Sequence, residues 1–159
     1  MNKLLLLLLF SSFLFFSCTS EKKERNDYAD KLESLRKELL AFSTTGMSLA
    51  DHMNLSGVDR GCDLSKPQIK KLINKNDSLA RRVLLKSASI LRARYDYEEL
   101  NIRFRKLIKG LTPLKQFVGD ESWMSVREYE SSYVGIYYIR LYTELSELEY
   151  EILKFRAKK

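Results

Sequence analysis

The chain has 159 residues, of which only six are glycine and two are proline. That composition argues against an all-β fold with its many turns, and the length argues against more than one domain. The formal net charge is +7 with a single histidine, so histidine-rich metal centres are excluded and an anionic partner is favoured.

The chain opens Met1-Asn2-Lys3. An apolar run follows over residues 4–16, broken only by Ser11 and Ser12; then come Ser17, Cys18 and a charged stretch through Arg25. A short positive start, an apolar segment and a small residue at the junction make a secretory signal peptide over residues 1–17. The run falls short of the roughly 20 apolar residues that a spanning helix needs.

Leu14-Phe15-Phe16-Ser17-Cys18 resembles the lipobox of bacterial lipoproteins, the signal read by type II processing. Ser17 and Cys18 match that pattern, while Phe15 and Phe16 depart from its commonest form. Looser boxes of this kind are similar to those of small spirochaete lipoproteins of the Borrelia type. The resemblance implies cleavage between Ser17 and Cys18, a diacylated sulfur on Cys18 and an acylated new amino terminus, palmitate being the usual label for such chains. Two or more acyl chains hold a protein stably on a membrane where one does not. Thr19 follows the cysteine in place of Asp, which by analogy favours the outer membrane. Residues 18–26 then read as the lipidated cysteine with a short tether, and residues 27–159 as the folded domain.

From Tyr28 the apolar residues Leu32, Leu35, Leu39 and Phe42 recur at alternating spacings of four and three, one stripe of a helix. Asn26 or Asp27 is the expected cap. The helix ends at Thr44-Thr45-Gly46 or, since Leu49 and Met53 keep the phase, runs on to about Leu55. Residues 56–64 read as a loop. Ser65-Lys66-Pro67-Gln68 signals a new start with a capping box. The region from Lys66 to about Lys109 carries the stripe Ile69, Leu72, Asn76, Leu79 and Val83, and a kink or break is expected at residues 74–77 because Asn and Asp favour caps over helix interiors. Gly110 ends it, Thr112-Pro113 opens a short turn of helix through Val118, and Gly119 closes that. A last helix starts near Asp120 or Ser122 and carries Val134, Tyr137 or Tyr138, Leu141, Leu145, Leu148, Ile152 and Phe155. The expectation is an all-α antiparallel bundle of three to four helices with coiled-coil-like heptad stripes.

Chemistry-bearing motifs are sparse. His52 lies near Asp51, Asp59, Cys62 and Asp63, but the spacing matches no zinc signature, and no phosphate-binding loop or nucleophile elbow is present. The expectation is a non-enzymatic protein without metal or cofactor. Once Cys18 is acylated, Cys62 is the one thiol left and intermolecular pairing is its open option. Charge is the strongest signal. Residues 66–109 carry thirteen basic against four acidic residues, while residues 21–63 and 120–159 each carry a net charge of −2. Arg81, Arg82, Arg92 and Arg94 are the expected partner contacts. Export disfavours nucleic acid, leaving an anionic polysaccharide, an acidic protein surface or anionic lipid headgroups outside the cell. The late tyrosines add a second feature: Tyr133 and Tyr137 with Tyr129 fit the core, Tyr138 and Tyr142 a neighbouring face, while Tyr and Trp also serve at binding hot spots. Two roles follow: a binding lipoprotein at the cell surface, or a periplasm-facing accessory subunit of an envelope complex, including a prophage lysis or holin accessory, in which the heptads mediate self-association or partner contacts.

Overall fold

Neither glycine nor proline interrupts residues 3–45, and this segment lies in a single 50-residue helix, α1 (Lys3–His52). In the computed structural model of the protein, which describes residues 3–52, 65–91, 97–118 and 128–158, four further helices follow: α2 (Lys66–Ile90), α3 (Glu98–Lys109), α4 (Leu114–Val118) and α5 (Glu128–Ala157). No strand occurs among the described residues. The all-α bundle read from the periodicity is the observed fold, with three long helices, α3 as a shorter fourth and α4 as a single turn.

Residues 19–26 are helical and continue α1, so the stretch read as a short tether is itself helix, and no helix starts at Asn26 or Asp27. Their Glu, Lys and Arg are good helix formers, which is why the helix passes through them. The far end of α1 also runs past Thr44-Thr45-Gly46. The Thr45 hydroxyl donates back to the Ala41 carbonyl at 2.7 Å and that of Thr44 to Leu40 at 3.0 Å, the pattern by which threonines are accommodated inside a helix. Leu49 and Ala50 are buried.

The stripe Tyr28, Leu32, Leu35, Leu39 and Phe42 is buried throughout. Two helices pack on α1, both antiparallel to it. Toward α5, Arg36 reaches Glu149 and the Leu145 carbonyl, and Ser43 donates to the Tyr138 carbonyl. Toward α2, the Lys86 ammonium donates to the Ser34 hydroxyl, Arg82 pairs with Glu38, and the Asn76 amide donates to the Phe42 carbonyl. As numbers rise along α1 they fall along both neighbours. An aromatic cluster closes one end, with Tyr97 stacked on Tyr28 at 4.8 Å and edge-on to Phe155 at 4.7 Å. The Tyr28 hydroxyl donates to Asn101 of α3.

At the start of α2, Gln68 Oε1 accepts the Ser65 N–H at 2.8 Å, so the capping residues act as expected. The break expected at residues 74–77 is absent; α2 is continuous to Ile90 with Leu91 as its C-cap, and the region read as running to about Lys109 is divided instead between α2 and α3. Asn breaks helices when its side chain competes for its own backbone. Asn76 is fully buried, and its side chain is bound by neighbours instead: the amide by Phe42 of α1, and Oδ1 by the Leu114 N–H of α4 at 2.8 Å. Asp77 pairs with Arg81 one turn on at 3.0 Å. The Arg105 guanidinium donates to the Leu91 carbonyl at 2.7 Å and so satisfies the end of the helix. Gly110 ends α3, and Pro113 begins the turn that becomes α4.

Candidate functional site

A helix that buries one face presents the opposite face to solvent. On α2 the buried face is Ile69, Asn76, Leu79, Ala80 and Val83. Lys70, Lys71 and Lys75 are exposed, and no acidic partner reaches them among the described residues. The reason lies in the sequence: Asp77 is the only acid between residues 66 and 95, and it pairs with Arg81.

Farther along α2 the basic groups meet acids. Arg82 lies 3.2 Å from Glu38 and Lys86 lies 4.0 Å from the same carboxylate. On α3, Arg103 lies 3.1 Å from Glu147 of α5. The positive charge of residues 66–109 is therefore partly absorbed within the bundle and left bare on the first half of α2. Arg81 and Arg82, expected as contacts, are well exposed, but each already holds a carboxylate. Arg92 and Arg94 lie outside the described residues. The three lysines upstream are the freer charges, and the missing acids around them were the signal that could have marked them. Beside Arg81 and Arg82, Leu84 and Leu85 are exposed at 50% and 76%, so the basic face ends in an apolar step.

The tyrosines are sorted by helix phase. Val134, Leu141, Leu145 and Leu148 set the buried face of α5, and Tyr138 falls on it, fully buried; Tyr137 is only half-buried. The core assignment of Tyr137 with Tyr138 on the neighbouring face is thus corrected by one position. The Tyr138 hydroxyl donates to the Thr112 carbonyl at 3.0 Å, with Asn76 Oδ1 at 3.4 Å. Burial pushes its phenol far above the ordinary tyrosine range. The Tyr137 oxygen accepts the Thr112 N–H and donates to the Gly110 carbonyl, and burial raises its pKa as well. Both tyrosines fasten the α3–α4 connection to α5. Tyr142 and Tyr150 are exposed. Trp123 and the side chains of Tyr129 and Tyr133 lie outside the described residues.

Other features are balanced in charge. Arg36 is buried between Glu33 and Glu149; its hydrogen bonds to Glu33 hold that carboxyl below the usual glutamate value and raise the guanidinium's own. A cleft of about 430 Å³ between the start of α3 and the end of α5 is lined by Glu98, Glu99 and Glu151 against Arg103, Lys154 and Lys158, and so selects no sign of charge.

Ser17 and Cys18 lie on the backbone of α1; their side chains, with Asp51 and His52, and the whole of Asp59, Cys62 and Asp63, are outside the described residues. Among the described residues no helix is long and apolar enough to cross a membrane. No protein-family model, no curated protein and no solved structure matches the chain.

Proposed function

We propose that the protein is a non-enzymatic lipoprotein, acylated at Cys18, that presents the basic face of α2 to an anionic macromolecule at the cell surface. The anchoring half of this reading rests on residues 14–18 and the polar stretch after them. The binding half rests on one observation: Lys70, Lys71 and Lys75 stand exposed with no carboxylate paired to them among the described residues. Charges left bare when every neighbour pair is satisfied steer and hold an oppositely charged partner. The helical state of residues 19–26 adds to the reading. From Cys18 to Tyr28 a helix rises about 15 Å, so the acylated residue connects to the core through a stalk, and the basic face keeps a set height above the membrane.

The test uses heparin as a sulfated polysaccharide probe. Retention of the detergent-solubilised protein should weaken steeply as salt rises, since exposed charge contacts are screened. The triple change Lys70→Glu, Lys71→Glu and Lys75→Glu should weaken binding about tenfold or more, which requires only about 1.4 kcal/mol over three reversed charges. Retention that ignores both salt and the triple change would remove the α2 lysines from the function.

A further inference from the structure

The outer face of α5 carries a second heptad stripe that no element covers among the described residues. Ile136, Ile139, Tyr150 and Leu153 are 49%, 51%, 64% and 55% exposed. Between them fall Thr143 and Ser146, also exposed, completing spacings of three and four over about two and a half heptads. Neither hydroxyl seeks water: Thr143 donates to the Ile139 carbonyl and Ser146 to that of Tyr142, both at 3.1 Å. No charged residue interrupts the stripe; the charges sit on its flanks, as Arg140, Glu147 and Lys154 on one side and Glu149 and Arg156 on the other. A strict heptad is the pattern of a helix paired with another helix, and α1 is already packed on the opposite face.

We infer that this stripe pairs with the same stripe of a second copy, α5 lying parallel to α5 in a two-fold homodimer. Charge complementarity favours a second copy as the occupant. In parallel pairing the flank of one helix meets the opposite flank of the other. Glu149 then faces Lys154 of the second copy, and by symmetry Lys154 faces its Glu149. Both side chains are about half exposed, so each can meet the second copy while keeping its local partner, Arg36 for Glu149 and Glu151 for Lys154. Parallel pairing sets the two α1 starts at the same end, as two chains rising from one surface require; the direction therefore rests on the anchoring proposed above, while the pairing of α5 with α5 does not. From Ile136 to Leu153 the stripe is about 26 Å long at 1.5 Å per residue. Tyrosines cover roughly 150–250 Å² each when fully buried; at the exposures seen, the two copies together reach on the order of 1,000 Å², the lower bound of specific interfaces. The pairing is accordingly reversible, and α5 enters it already folded, which lowers its ordering cost.

The experiment is oxidative crosslinking of the full chain in membranes, in a Cys62→Ser background. Ser146→Cys should give a disulfide-linked dimer, because a parallel stripe sets position 146 against itself. Adding Leu153→Glu should cut the dimer about tenfold, since it buries two unpaired carboxylates at the interface. Glu144→Cys, off the stripe, should stay monomeric, as should the background chain. Three results would overturn the inference: no dimer from Ser146→Cys; a dimer indifferent to Leu153→Glu or equal at Glu144→Cys; or crosslinking only between Thr143→Cys and Ser146→Cys chains mixed together, which is antiparallel geometry.

Discussion

Asn76→Leu is expected to lower the stability of the bundle by about 3 kcal/mol, although leucine is the better helix former by a few tenths of a kcal/mol. The two side chains share the same branching, so no cavity is left, and the leucine methyls must shift by a few tenths of an ångström from sites that lie 2.8 and 3.1 Å from backbone atoms. What it removes is the polar hub: Asn76 takes the Leu114 N–H through Oδ1 and gives its amide to the Phe42 carbonyl. A buried donor or acceptor left without a partner costs roughly 1–3 kcal/mol. Leu114 is fully buried, so its N–H loses its partner outright and α4 loses its hold on α2. Urea unfolding should show the midpoint fall with an unchanged slope, and amide exchange should quicken first around residues 111–116. Equal or greater stability would mean that local propensity, not the hub, governs position 76.

Gly46→Ala is the second large effect, at about 2 kcal/mol of destabilisation. Ordinarily this change inside a helix stabilises by about 1 kcal/mol. Here the added Cβ would lie well inside the contact distance of the Tyr138 ring. That ring cannot retreat: it is fully buried, packs on Phe42 at 5.4 Å and is hydrogen-bonded to the Thr112 carbonyl. Overpacking of this kind costs roughly 1–3 kcal/mol. Gly46 is therefore a point of close approach between α1 and α5, and a double-mutant cycle reads that contact directly. Combined with Tyr138→Leu, Gly46→Ala should become close to neutral, a coupling of contacting residues. Additive losses would place the strain elsewhere.

These two positions also mark where sequence reasoning stops. The buried stripes of α1 and α5 were legible because period is a property of the chain alone: Leu32, Leu35, Leu39 and Phe42 point one way whatever they meet. The cap at Ser65 and the end at Gly110 were legible for the same reason. Asn76 was misread because its tendency to break helices depends on whether its side chain is free, and Phe42 and Leu114, which bind it, are distant in sequence. Tyr138 and Tyr137 were exchanged because adjacent residues of one type differ only in phase, which the neighbours Leu141 and Leu145 decide. Gly46 looked like a helix end and is a point of helix contact. On the surface, the bare lysines of α2 were readable from the lack of nearby acids, whereas the neutralisation of Arg82 by Glu38 needed the fold. The outer stripe of α5 stayed hidden because one apolar face per helix satisfies a bundle; Ile139 and Leu153 stand out only once Leu145 and Ile152 are seen to fill the core.

Anchoring through Cys18 is the claim from which the rest of the proposed role descends, and metabolic labelling tests it. Cells expressing the full chain are grown with labelled palmitate, and membrane and soluble fractions are compared for the chain as it stands and for Cys18→Ala. The account predicts that the unaltered chain carries the label and sediments with membranes, while Cys18→Ala does neither. A Cys18→Ala chain that still carries the label and still sediments would contradict it.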